Sequence, residues 1–242
     1  MTERILLPLV SCEHGGNRVP TPFRHLFDGC SGILSSHRAY DAGARTLARR
    51  LAAQLHAPLH VCTITRLLID VNRSPHHPRL FSAATAGCAA AERRLLRSRY
   101  YEPYRRAVTS AVAHIVDAGN AVLHLSVHTF CPVMDGVARA ADIGVLYDPS
   151  RACERWCVDR LVPRLRAVVP PGRVRRNYPY RGVADGLTTS LRRCFPDEAY
   201  VGIELEVNQR LHAAGAHQWR HWCALVAGQC ARMYVCDVKG TP

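Results

Sequence analysis

Short apolar runs separated by polar and turn-forming residues recur along the chain. Runs of roughly four to eight aliphatic residues bounded by turn signals are typical of strands buried on both faces of a sheet. The pattern predicts strands at residues 5–12, 60–64, 66–71, 121–128, 143–147 and 200–207.

Stretches with apolar residues at helical spacing lie between these runs. In DAGARTLARRLAAQLH, Ala and Leu recur on one face, and Asp41 stands at the start, where it could cap the helix. A break is predicted near Pro103, because proline lacks the N–H that a helix interior requires. The Pro/Gly-rich segment 170–182 is assigned neither a helix nor a strand. The pattern predicts helices at residues 41–56, 89–118, 150–168, 185–194 and 214–235.

Strands that alternate with amphipathic helices predict an α/β fold. We expect a single domain over residues 1–242, with a mainly parallel or mixed central sheet flanked by helices. A chain of 242 residues can bury a full core without disulfide or metal staples. Ligands of such sheets bind at the carboxyl ends of the strands, so polar residues that directly follow the apolar runs are candidates for a site.

The composition favours a soluble protein. The chain is 48% hydrophobic and 21% charged, and no apolar stretch approaches the roughly 18 residues of a membrane span. The first apolar run, ILLPLV, is shorter than the apolar region of a secretory signal. Eleven cysteines are an odd number and are expected to be mostly free thiols. We therefore expect a cytoplasmic location and no membrane partner.

The formal net charge of +13 raises the alternative of a basic module that binds RNA or another polyanion without catalysis. The arginines are dispersed over several helical segments instead of forming one stripe. A solvated, arginine-rich surface is the favoured interpretation, and no nucleic-acid partner is expected.

Three predicted strands end on residues that could serve a metal-dependent hydrolase, in the sequences SCEH, LSVH and GIELE. These segments carry His14, His128 and Glu204. Two imidazoles and a carboxylate suit zinc, which leaves a coordination position for water and lowers the pKa of that water. A further carboxylate could take the proton of the water and pass it to the leaving amine. For either histidine alone, a hydrogen bond to a backbone carbonyl would be the simpler interpretation.

Charged residues elsewhere admit two interpretations each. Asp41 could cap its helix or supply a carboxylate to the metal. In TRLLIDVNRS, Asp70 could pair with Arg66 and Arg73, or Arg73 could instead clamp a carboxylate of the substrate. Arg139 could be a surface residue or an anchor for an anion.

Taken together, several stretches resemble the N-formylglutamate amidohydrolase family. The resemblance runs from about residue 6 to 210, and its most specific block is SVHTFCPVMDGVARAADIGVLYD. The other blocks are SCEHGGNRVP, SSHRAYDAGA, TRLLIDVNRS, NYPYRG and YVGIELEVNQ.

The resemblance implies a zinc-peptidase-like α/β fold and hydrolysis of an N-acyl amino acid, with N-formyl-L-glutamate as the substrate of the type reaction, a late step of histidine degradation. It implies one zinc ion, or another divalent metal, bound by His14 and His128, and it implies that Glu204 is catalytic. The third ligand is Asp41 or Glu13. Asp41 is favoured, because adjacent residues of an extended backbone point to opposite faces, so that Glu13 and His14 would not reach one ion.

The mechanism that we expect adds contacts to the substrate. A nearby arginine would stabilise the oxyanion, and Arg139 is a catalytic candidate. Arg73 and Arg139 would fix the carboxylates of the substrate, with Asn72 and Arg66 as further substrate-binding candidates. Glu206 stands where relatives tend to carry an arginine, so the identity of the substrate is open. A zinc amidase or carboxypeptidase that acts on peptides or cell-wall fragments is the alternative enzyme. The sequence leaves the oligomeric state open.

Overall fold

The computed structural model describes residues 4–234 and is built around a mixed β-sheet. Its strands are β1 (Leu6–Cys12), β2 (Leu59–Val61), β3 (Ala121–Phe130), β4 (Val133–Met134), β5 (Val137–Ala138), β6 (Ile143–Leu146), β7 (Val174–Arg176) and β8 (Tyr200–Asn208). The helices are α1 (Ala44–Leu55), α2 (Ala90–Leu96), α3 (Glu102–Asp117), α4 (Ala152–Arg166), α5 (Leu187–Cys194), α6 (Gln209–Ala213) and α7 (Ala216–Met233).

Six strands form the central sheet in the order β2-β1-β3-β8-β6-β7, while β4 and β5 form a separate hairpin. The pairs among β2, β1, β3 and β8 are parallel, and β6 runs antiparallel to β8. The predicted fold class, a mainly parallel or mixed sheet flanked by helices, is confirmed. The single-domain organisation and the likeness to zinc peptidases stay predictions.

Helices cover both faces of the sheet. On one face α1, α4 and α7 share a core with strand residues such as Val10, Leu125 and Leu205. On the other face α3 and α5 pack around Leu9 and Val122. Both faces of the central strands are therefore buried, as their nearly continuous apolar sequences require. Within residues 4–234, none of the helices is long and apolar enough to cross a lipid bilayer.

Most predicted elements are present within three residues of their predicted bounds. Residue 235, the predicted end of the last helix, lies outside the described residues. The predicted break near Pro103 is a π-helical turn over Arg97–Tyr101, after which Pro103 lies in the first turn of α3, where a missing N–H costs little. The ten cysteines of the described chain are free thiols.

The strand predicted at 66–71 is wrong. This segment forms turns, and the strand predicted at 60–64 is shortened to β2. The apolar residues Leu67, Leu68 and Ile69 pack instead into a separate cluster with Phe23. Their apolar character therefore reflects burial under a loop and not pairing in the sheet. The short edge strand β7, inside the Pro/Gly-rich segment, was not predicted, because only Val174 of its three residues is buried.

Candidate metal centre and active-site cleft

A cleft of about 830 Å³ opens near the carboxyl ends of β1, β3 and β8. Glu206 lines it, whereas Glu13 lies behind it and Arg139 beside it. The cleft is also lined by seven of the site residues predicted from the sequence, namely His14, Asp41, Arg66, Asn72, Arg73, His128 and Glu204.

The strand register explains why these distant positions meet. His128 and Glu206 are direct partners in the β3–β8 ladder, and Ser126 and Glu204 are the partners one step before them on the same face. β1 lies on the other side of β3, and the chain continues beyond it to His14. The ladder thus brings two imidazoles and two carboxylates to one edge of the sheet.

Asp41 reaches both histidines from the loop before α1. Its backbone N–H donates to the carbonyl of His14 at 3.0 Å, which holds the loop against the end of β1. Its Oδ2 lies 2.8 Å from Nδ1 of His128 and 3.4 Å from Nδ1 of His14. The N-cap position of α1 is occupied by Gly43. The alternative that Asp41 caps the helix is therefore wrong.

These three side chains form a group that could hold a metal ion. One ligand atom from each of His14, Asp41 and His128 lies within 4.8 Å of the others. All three residues are buried, and Nδ1 of His14 has no hydrogen-bond partner within residues 4–234. A buried nitrogen without a partner is costly. Two imidazole nitrogens and a carboxylate oxygen are a donor set suited to zinc, so the residues present fit a divalent ion of this kind.

The electrostatics of the group are those of a cation site. Burial would raise the pKa of Asp41, but the charge of His14 and the hydrogen bond with His128 outweigh burial and hold this pKa well below its usual range. Burial would lower the pKa of His128, but Asp41 and Glu13 raise it well above its usual value. Without metal, both ring nitrogens of His128 therefore carry hydrogen near neutral pH. A metal ion that binds one of these nitrogens must displace the proton on it.

Asp70 joins His14 to the two arginines predicted beside it. Its Oδ1 lies 2.7 Å from Nε2 of His14, and its Oδ2 accepts hydrogen bonds from Nη2 and Nε of Arg66 at 2.6 and 3.1 Å. Nε of Arg73 lies 3.9 Å from the same oxygen. The ion pairing of Asp70 is thus present, with Arg66 as the close partner. The side chains of Arg66 and Arg73 remain 26% and 29% exposed, so both are accessible to an anion in the cleft.

Asn72 and Glu204 are both held by the start of α5. Oδ1 of Asn72 accepts a hydrogen bond from the backbone N–H of Leu187 at 2.7 Å, and the hydroxyl of Thr188 donates to Oε1 of Glu204. Because its carbonyl oxygen is engaged, Asn72 offers a ligand its amide N–H groups. Thr188 was not predicted from the sequence, since only the folded chain brings α5 beside β8.

Of the two carboxylates of β8 that line the cleft, Glu206 is more deeply buried than Glu204. Its side chain is 5% exposed, and its Oε2 has no hydrogen-bond partner within the described chain. Burial is the main reason why its pKa is raised to about 8, and the negative charges of Asp41 and Glu204 add to that effect. The charges of His128 and Arg66 oppose it.

Arg139 acts on the cleft through a tyrosine and is not itself among the lining residues. Its guanidinium lies 5.1 Å from the centre of the Tyr180 ring and donates to the Tyr180 hydroxyl at 3.2 Å. The loop that carries Tyr180 is fixed by Asn177, whose Oδ1 accepts from the backbone N–H groups of Tyr147 and Gly182, both at 3.0 Å. The sequence NYPYRG was the available signal for Tyr180, but its place at the cleft was not predicted.

Comparison with known proteins identifies relatives of the chain. A family model described as N-formylglutamate amidohydrolase matches residues 7–213. The structure is similar to that of a gene product from Agrobacterium tumefaciens, with a TM-score of 0.81 and 27% identity over 94% of this chain and 90% of that one. It is also similar to an N-formylglutamate amidohydrolase from Ralstonia eutropha, with a TM-score of 0.71 and 20% identity over 95% and 93% of the two chains. Among curated proteins, no sequence matches significantly.

Proposed function

Because the chain belongs to the N-formylglutamate amidohydrolase family, as its motifs predict, we propose that this cleft hydrolyses the amide bond of an N-acyl amino acid. The observation that carries the proposal is the convergence of His14, Asp41 and His128 beside two carboxylates of β8. The substrate that we propose first is N-formyl-L-glutamate, which with water gives formate and L-glutamate.

We assign His14, Asp41 and His128 as the residues that hold the metal ion, with zinc as the first candidate and another divalent ion as the second. When bound, such an ion supplies Lewis acidity to the acyl carbonyl and to a water molecule. The three ligands are themselves buried, so the charge interactions among them act in a medium of lower dielectric constant than bulk water.

A carboxylate of β8 acts as the general base: it accepts a proton from the attacking water and returns it to the departing nitrogen. Two residues meet the requirement. Glu204, the residue predicted from the sequence, lines the cleft but is held by Thr188. Glu206 lies opposite His128 in the ladder and its Oε2 has no hydrogen-bond partner within the described chain, so the geometry favours Glu206. A cation bound beside it would lower its raised pKa and keep the carboxylate ionised near neutral pH, as a general base requires.

The carboxylates of the substrate are bound by the cationic wall of the cleft. Arg73 and the amide N–H groups of Asn72 lie together on the turn that follows Asp70, and both line the cleft. Arg66 lies on the same wall, although its charge is partly engaged by Asp70. We propose that Arg73 and Asn72 bind a carboxylate, while Arg139 supports the oxyanion through Tyr180.

The test combines metal analysis of the purified protein with release of formate or acetate from a panel of N-acyl amino acids. We expect about one bound ion per chain and formate release from N-formyl-L-glutamate. Protein that binds zinc and cleaves only N-acyl peptides or cell-wall fragments would favour the peptide-acting alternative. Protein that binds no metal and instead binds RNA, with affinity falling steeply as salt increases, would favour the polyanion-binding alternative.

A further inference from the structure

We propose that Glu13 is a positioning residue for the metal centre, which orients His128 from behind and does not bind the ion. The inference rests on the proposed function, because it assigns a role toward the same ion. It also answers why a buried strand is followed directly by a glutamate and a histidine.

Glu13 is buried behind the cleft, with 1% of its surface exposed, and it does not line the cavity. Its Oε2 lies 3.1 Å from Nε2 of His128 and accepts a hydrogen bond from the hydroxyl of Ser126 at 2.7 Å. Its Oε1 accepts a hydrogen bond from the hydroxyl of Tyr104 at 3.0 Å. Both carboxylate oxygens are thus already engaged by protein groups.

These contacts determine which nitrogen of His128 carries hydrogen. Ser126 has one hydroxyl hydrogen and donates it to Glu13, so toward Nε2 of His128, 3.1 Å away, its oxygen acts as an acceptor. The carboxylate of Glu13 is also an acceptor. Nε2 of His128 faces two acceptors outside the ion-binding group and therefore keeps its hydrogen. The acceptor at Nδ1 is Asp41, a member of that group, so Nδ1 is the nitrogen that can bind a metal ion.

Asp70 holds His14 in the same way, through Nε2 at 2.7 Å. The two carboxylates differ in their other partners. Asp70 shares its charge with Arg66, 2.6 Å away, whereas the hydrogen bonds that Glu13 accepts from other residues come from neutral hydroxyls. Glu13 therefore directs its negative charge mainly to His128, and its loss should weaken metal binding through that residue.

The turn that follows β1 sends the two neighbouring side chains in different directions. Glu13 contacts Ser126 and Tyr104, while His14 reaches the cleft. The same geometry excludes Glu13 from the ion-binding group, which within the described chain consists of His14, Asp41 and His128.

The first experiment measures the zinc dissociation constant of the wild type and of Glu13→Gln by competition with a chromophoric chelator. Glutamine keeps the size of the side chain but removes its charge, and we expect an affinity about 10- to 100-fold lower. Tyr104→Phe is the matched control: it removes the donor to the other oxygen and leaves the contact with His128, so its affinity should stay within about threefold of wild type. Thermal unfolding of the metal-free proteins checks that all three are folded.

The second experiment needs no variant. Wild-type protein labelled with ¹⁵N in its histidines and loaded with ¹¹³Cd should show coupling between the metal and Nδ1 of His128, with hydrogen retained on Nε2. Coupling at Nε2, or a Glu13→Gln affinity equal to wild type, would overturn the inference and leave the metal centre intact. Wild-type protein that binds neither zinc nor cadmium would overturn the metal centre itself, and the inference with it.

Discussion

Replacing Glu206 with glutamine should stabilise the metal-free protein, and by more as the pH rises. Burial, helped by the charges of Asp41 and Glu204, raises the pKa of Glu206 from 4.5 to about 8. The folded state therefore holds this proton more tightly than the unfolded chain. The stability that comes from the protonated carboxyl is complete below about pH 4.5 and is lost as the pH rises towards about 8.

The size of the effect follows from the two pKa values. The rise in pKa from 4.5 to about 8 corresponds to about 5 kcal/mol of folding stability, because each pKa unit corresponds to about 1.4 kcal/mol. About 2 kcal/mol of this is lost by pH 6 and nearly all of it by pH 9. Glutamine cannot ionise, so Glu206→Gln should gain about 2.5 kcal/mol more over wild type at pH 9 than at pH 6.

Urea denaturation in the presence of EDTA, at pH 6 and at pH 9, measures this difference. Titration of the Asp41 and His128 pair occurs in both proteins and largely cancels in the comparison. If the advantage of Glu206→Gln is equal at the two pH values, the electrostatic reasoning is refuted.

Three further outcomes are expected. Asp41→Asn should lower zinc affinity by at least about 100-fold in equilibrium dialysis, because the charge between the two imidazoles is lost; unchanged affinity would remove Asp41 from the ligand set. Glu206→Gln should reduce kcat for N-formyl-L-glutamate by about 100-fold or more with the metal retained, and a larger loss in Glu204→Gln would assign the general base to Glu204. Gly182→Ala should lower the melting temperature and cost about 1–3 kcal/mol of stability, because the new Cβ would clash with the backbone nitrogen of Tyr147; an unchanged melting temperature in calorimetry would show that the loop yields freely.

The sequence predicted the features of the site that depend on local pattern. Strand ends are recognisable where an apolar run stops, so His14, His128 and Glu204 could be placed at the edge of the sheet before the fold was known. Asp41 was favoured over Glu13 on the expectation of an extended backbone at residues 13–14, but in the structure these residues form a turn after β1. The geometry now shows Asp41 in the group of possible ligands.

Features that depend on long-range packing were beyond the sequence. The burial of Glu206 arises because Gly144 of β6 is its partner on one side and His128 of β3 on the other. Residues 66–71 have the composition of a strand, and only tertiary packing against Phe23 and its neighbours makes them a buried turn. The contact of Thr188 with Glu204 likewise joins two elements whose proximity no local pattern encodes.

The reversed direction of β6 has a consequence for how this enzyme can diversify. Because β6 runs antiparallel to β8, it begins at the same end of the sheet where β3 stops. The chain between Phe130 and Ile143 therefore stays at the end of the sheet where the cleft opens and does not cross a face of the sheet. Part of that connection, at Met134 and Asp135, forms a wall of the cleft. Insertions or deletions there can reshape the entrance without shifting the pairing of β3 with β8. Evolution or engineering can therefore alter what enters the cleft while the residues at the ends of β3 and β8 stay in register.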